Sequence, residues 1–229
     1  MTHGSQLQVQ IYVDRFPGAL TQAVLDALPS LTARTRRVVW TAPLQAEAFA
    51  EPQDAAFLNA VGYGDLTEQL REFWPARGPV WDALAIAVLE AGRPGVVLAE
   101  GKAHPSEFRG PGSKATEPAR TQISTALART QDWFGVPRDA ERWLGPQYQS
   151  ANRLAHLYWF REVVGVEAWF IHLIFVDDST HIATSRGEWD KALPTIEEEL
   201  GLVTPSEFAG HAFLPALAAD ELLRQPVRA

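Results

Sequence analysis

The fold turns on the reading of PVWDALAIAVLEAGRPGVVLAEGKAHPSE, Pro79 to Glu107. It holds two apolar runs with β-branched content, Val80–Leu89 and Gly95–Ala99, joined by the turn-like AGRPG of Ala91–Gly95. Runs of this make-up between turn residues read as neighbouring buried strands in a hairpin or a closely paired unit. Asp82 stands at the start of the first run, and Glu100 and Lys102 at the end of the second. Side chains alternate along a strand, so Glu100 and Lys102 share one face while Gly101 points to the other. If the strands pair, Asp82 and Glu100 converge. Ending an apolar strand on ionised groups is expensive unless they are paired or hold a metal. The competing reading is a plain ion pair at a strand end.

Towards the N-terminus, Leu7–Val13 (LQVQIYV) alternates and reads as a strand. Leu20–Leu28 reads as a helix closed by Pro29, and Arg37–Trp40 as a strand. Gln53–Val61 reads as a helix ended by Gly62, followed by a second helix from Asp65 to Trp74 that Pro75 stops. Beyond the decisive stretch, His104–Pro118 is a polar loop rich in Gly and Pro, which marks it as functional or mobile. Helical patterns cover Glu117–Phe134 and Pro146–Val164, and Val166–Val176 reads as a buried strand. Ser185 with Glu188 three residues on predicts a capping box for a helix to Leu200. The tail to Ala229 is expected to hold a short strand and a short helix. Strands interleaved with helices define an α/β (α+β) chain with a central mixed sheet flanked by helices. Its 229 residues suit one domain.

Composition removes several function classes. The absence of Cys excludes disulfide scaffolds, thiolate metal sites and a Cys nucleophile, and it fits a reducing compartment. No apolar run approaches the length of a membrane span, and the N-terminus lacks a leader pattern, so a cytoplasmic location and no membrane partner are expected. The net charge of -8 argues against coating nucleic acid non-specifically, though not against an enzyme that touches a few phosphates. Only three of the 20 basic residues are Lys, one of them Lys102. Where Arg is the default, a Lys can mark a position at which Arg does not serve.

Asp82, then Glu100-Gly101-Lys102 after the strand GVVLA, resembles the PD-(D/E)XK nuclease superfamily, which has the restriction-endonuclease-like fold. The order of a helix, the Asp82 strand, the Glu100/Lys102 strand, a helix and a later strand is similar to that superfamily's core. It covers about Asp65 to Val176, half of the chain, with an N-terminal strand-helix-strand and C-terminal helical additions outside it. The sequence departs in having Pro79 displaced from Asp82, and the acid-x-Lys triplet is common by chance, so its placement carries the weight. The resemblance implies catalytic Asp82, Glu100 and Lys102. It also implies Mg²⁺ or Mn²⁺ held by Asp82, Glu100 and the Gly101 carbonyl, donors that suit a hard cation. The implied reaction is hydrolysis of a nucleic-acid phosphodiester, DNA before RNA. The alternative is a domain of the same fold that no longer cleaves and acts as a binding module. Many members of the superfamily work as dimers, so a homodimer is a further expectation. Glu68 and Glu72, candidates for a further acidic ligand, fall opposite an apolar helical stripe and are expected in solvent.

Further candidates for substrate contact are His104, on the face of Lys102, and Gln122, near the start of the helix that follows. Tyr148, Asn152 and His156 form a polar stripe at i, i+4 and i+8 on one helix, with Arg153 alongside Gln149. That stripe reads either as a cleft wall or as a hydrogen-bonded core network. Arg109 and Lys114, in the 104–118 loop, are placed to meet phosphates, and convergence of Arg120, Arg153 and Arg161 on one groove would favour a polymer substrate. His172, inside an apolar strand, reads as a satisfied core histidine. Gly110–Lys114 lacks the Gly before Lys of a phosphate loop, Gly62-Tyr63-Gly64 lacks the third Gly of a dinucleotide fingerprint, and no G-x-S-x-G elbow occurs.

Overall fold

A computed structural model describes residues 3–202 and 206–218. The two runs of the decisive stretch form β2 (Ala83–Leu89) and β3 (Gly95–Lys102), an antiparallel pair in which Ala83 faces Ala99. β1 (Thr35–Ala42) pairs antiparallel with β2. β4 (Ala168–Val176) lies parallel to β3, and β5 (Ala209–Pro215) parallel to β4. The result is one mixed sheet in the order β1-β2-β3-β4-β5. Every residue of β3 is buried, as befits the middle strand of a sheet covered on both faces.

Nine helices cover the two faces of the sheet among the described residues. On one side lie α1 (Gly4–Arg15), α2 (Pro17–Ala27) and α3 (Pro29–Thr32). Their Val9, Tyr12, Leu20, Val24 and Leu31 pack on Ala85, Val97, Ala99, Ile171 and Leu173. The other side carries α4 (Ala55–Ala60), α5 (Thr67–Phe73), α6 (Ala119–Phe134), α7 (Ala140–Leu144), α8 (Tyr148–Tyr158) and α9 (Arg186–Leu200). A larger aromatic core there joins Phe57, Trp143, Leu154, Phe160 and Trp189 to Leu84, Leu98 and Phe170 of the sheet. No helix among the described residues is long and apolar enough to cross a membrane.

The expected strand over Leu7–Val13 is instead part of α1, so the N-terminal segment is helix-helix-strand. Seven alternating residues satisfy a helical stripe as well as a strand face. The deciding partner is distant: buried Gln8 donates to the Leu217 carbonyl at 3.0 Å and accepts from the Leu217 N–H at 2.9 Å. The helix predicted over Pro146–Val164 ends its α-helical part at Tyr158 and continues as a π turn, Trp159–Val164, before Gly165. The capping box is formed, with the Glu188 N–H on the Ser185 hydroxyl and the Ser185 N–H on Glu188. The tail supplies β5, while the short helix expected after it falls outside the described residues.

Candidate active site

Strand pairing brings the three central residues together. One step beyond the Ala83–Ala99 pair, Asp82 stands opposite Glu100, and Lys102 follows on the same face. Gly101, between them, faces α1, where a Cβ would come 2.6 Å from Val9 Cγ2. Glycine at this position therefore lets a helix press against the back of the strand that carries the charges.

Glu100 and Lys102 are each only 3% exposed. Lys102 Nζ donates to Glu100 Oε1 at 2.9 Å and to Gln149 Oε1 at 2.9 Å. Gln149 Nε2 donates to Glu100 Oε1 at 2.8 Å, so the amide clamps both charges. Arg153 reaches Glu100 Oε2 through Nε at 2.9 Å and Nη2 at 2.8 Å. The guanidinium is itself held by Asn152 Oδ1 and the Val80 carbonyl, and it lies over the Trp81 ring. Asp82 accepts the Gly101 N–H on Oδ2 at 2.8 Å.

Burial drives the Glu100 carboxyl upward, but Arg153 and Lys102 outweigh it and hold the group below the usual range. Asp82 behaves in the opposite way. Burial and the neighbouring Glu100 charge push it up to about 7, against the smaller pull of Lys102, Arg153 and the Gly101 N–H. Two carboxylates with unlike proton affinities thus face each other across one strand pair, a perturbation found at functional sites and in structural ion networks alike.

The other residues singled out by the sequence are scattered around this cluster. His104 accepts the Ser106 N–H on Nδ1 and caps a short turn. Gln122 donates to the Arg71 carbonyl and ties α6 to α5. Tyr148 stacks on Trp74 at 6.5 Å, and burial raises its phenol. His156 is fully buried among Phe57, Trp74 and Trp81, with Nδ1–H donating to the Asn152 carbonyl at 2.7 Å. Burial lowers it to about 4, so the ring is neutral. Of the Tyr148–Asn152–His156 stripe, Asn152 alone touches the cluster, through Arg153.

Arg109 is forked onto Glu199 of α9, and Lys114 is exposed. Arg120 is exposed on α6, whereas Arg161 pairs with Glu167 and lies over Phe208, so with the buried Arg153 these three do not share a groove. Glu68 and Glu72 are exposed. The residue not selected from sequence is Gln149, although its i, i+4 spacing from Arg153 placed both on one helical face. His172 is buried, but its Nε2 has no hydrogen-bond partner.

Two carboxylates and a strand carbonyl are donors of the right kind for a hard divalent cation. Among the described residues, however, no group of three His, Asp or Glu side chains converges on such an ion. Asp82 is the carboxylate short of positive charge, and Glu100 has both oxygens engaged. Compared with known protein families, curated proteins and solved structures, the chain gives no significant match.

Proposed function

We propose that the chain is a metal-dependent nuclease of the PD-(D/E)XK type, hydrolysing nucleic-acid phosphodiester bonds, DNA in preference to RNA. The observation that carries the reading is Asp82 opposite Glu100 at the paired ends of β2 and β3, with Lys102 on the same face. Asp82, Glu100 and the Gly101 carbonyl would hold Mg²⁺ or Mn²⁺. When bound, the ion supplies a Lewis acid and a more acidic water for attack on phosphorus.

The chain's own groups do the rest. Lys102 spends two N–H bonds on Glu100 and Gln149. Its third N–H would meet a phosphate oxygen and stabilise the charge that develops there. Gln149 fixes the direction of Nζ, and Arg153 keeps Glu100 ionised. Both act as positioning residues.

A second reading is a binding module that no longer cleaves, favoured by one observation. Both oxygens of Glu100 are already satisfied by Lys102, Gln149 and Arg153. Cleavage of labelled single- and double-stranded DNA and of RNA, with Mg²⁺ or Mn²⁺ and with chelator, separates the two. The nuclease cuts in a metal-dependent way, and Asp82→Asn and Lys102→Ala each abolish it. Cutting that survives both variants, or no cutting of any substrate, sinks this reading.

A further inference from the structure

The polar row that starts at Asp82 and Glu100 continues across the sheet. Glu100 is in register with His172 on β4, and His172 with His211 on β5. The two imidazoles lie nearly parallel, 5.2 Å apart. They form part of the wall of a cavity of about 360 Å³ between β4, β5 and α9, a size typical of small-ligand sites. Leu154, Phe170, Ile196 and Phe108 give it apolar sides, two of them aromatic.

Its polar groups are few and incompletely used. His172 is 94% buried, being 6% exposed, and its Nε2 meets no partner. His211 pairs through Nε2 with Glu197 at 3.0 Å, and its Nδ1 has no partner. Unpaired buried nitrogens cost free energy that a ligand with matching donors recovers and a hydrocarbon does not. No Lys or Arg lines the cavity among the described residues, and Glu197 does, so the bound part of the ligand is not an anion.

We propose that this cavity binds a nucleobase, with its ring between the apolar sides and its nitrogen edge towards His172 and His211. A base is planar, neutral and edged with donors and acceptors, and enzymes that act on a base read it, unstacked, by hydrogen bonds to its edge and by stacking on aromatic or apolar side chains. Phe108 links the cavity to the charged cluster. Lys102 Nζ lies 5.6 Å from the ring centre, and the same ring packs on His172 at 4.7 Å. The inference rests on the nuclease reading in one respect, that the substrate carries bases.

The test is titration of the full-length, metal-free protein with adenosine, guanosine, cytidine and uridine, and with toluene as a ring that cannot hydrogen-bond. The imidazole ¹H–¹³C signals are the readout. At least one nucleoside should shift the His172 and His211 signals saturably while toluene does not, and His172→Phe should weaken it about tenfold or more. If His172→Phe does not fold, His211→Gln, nearer the sheet edge, carries the same expectation. Absence of any nucleoside effect, toluene binding as well as the nucleosides, or affinity unchanged in the folded variants overturns the proposal. Because no metal or cleavage is involved, nucleosides that bind a chain unable to cut defeat the nuclease reading alone. A chain that cuts but binds no nucleoside defeats this one alone.

Discussion

The two faces of β3 are built on opposite principles. Towards α1 the strand shows Val97, Ala99 and Gly101, which let the helix come close, and the packing there is closed and apolar. Towards α8 it shows Leu98, then Glu100 and Lys102, and apolar packing gives way to an ion cluster clamped by Gln149 and Arg153. One strand thus serves as a wedge on one side and a charged platform on the other. The difference teaches which side of the strand can be exchanged: well-packed apolar residues of similar volume are often as stable as a buried ion pair, so the charged side is the one that apolar replacement tests.

The sharpest way to break this contrast is to remove one charge and then all of them. Glu100→Ala leaves Lys102 and Arg153 facing each other without an anion, and denaturant unfolding should show a loss of about 3–5 kcal/mol. Replacing Glu100, Lys102 and Arg153 together by Leu, Met and Met should restore most of that loss. A triple variant no more stable than Glu100→Ala would mean that the ions hold the fold.

The next effect tests the neutral histidine beside the cluster. His156 has its folded affinity for protons lowered to about 4 from 6.5. Between those values the unfolded chain takes up a proton that the folded chain refuses, so stability falls as pH drops from 6.5 towards 4. The expected loss is about 3 kcal/mol. Buried His172, also held well below its ordinary value, adds in the same sense. His156→Gln should flatten this dependence in unfolding titrations across that range.

On the apolar face, Gly101→Ala should cost about 1–3 kcal/mol by overpacking against Val9. Val9→Ala in the same chain should relieve much of it, and a double variant that is simply the sum of the two would show that the faces do not meet at this point. The smallest effect belongs to the exposed pair Arg138–Asp132, with Nε 2.9 Å from Oδ1. Asp132→Ala should leave the melting temperature almost unchanged, and any difference should vanish in high salt.

What was legible in the sequence is what local chemistry dictates. The β2–β3 hairpin, the shared face of Glu100 and Lys102, and the Ser185–Glu188 box all follow from spacing within a few residues. What was not legible depends on distant partners. Leu7–Val13 reads as a strand by its alternation but folds as part of helix α1, whose buried Gln8 finds its partner 209 positions away, at Leu217. The engagement of Glu100 by Gln149 and Arg153 spans 49 and 53 positions, and no pattern within either segment encodes it. His172 could be recognised as buried, but its alignment with His211 exists only once β4 and β5 pair.

The most direct measurement is calorimetric titration of Mn²⁺ into the full-length protein and into Asp82→Asn. The account predicts one saturable site in the unaltered chain and none in the variant. Equal heats for the two proteins, or no binding to either, would contradict it and leave Glu100, Lys102 and Arg153 as the ion network of a binding module.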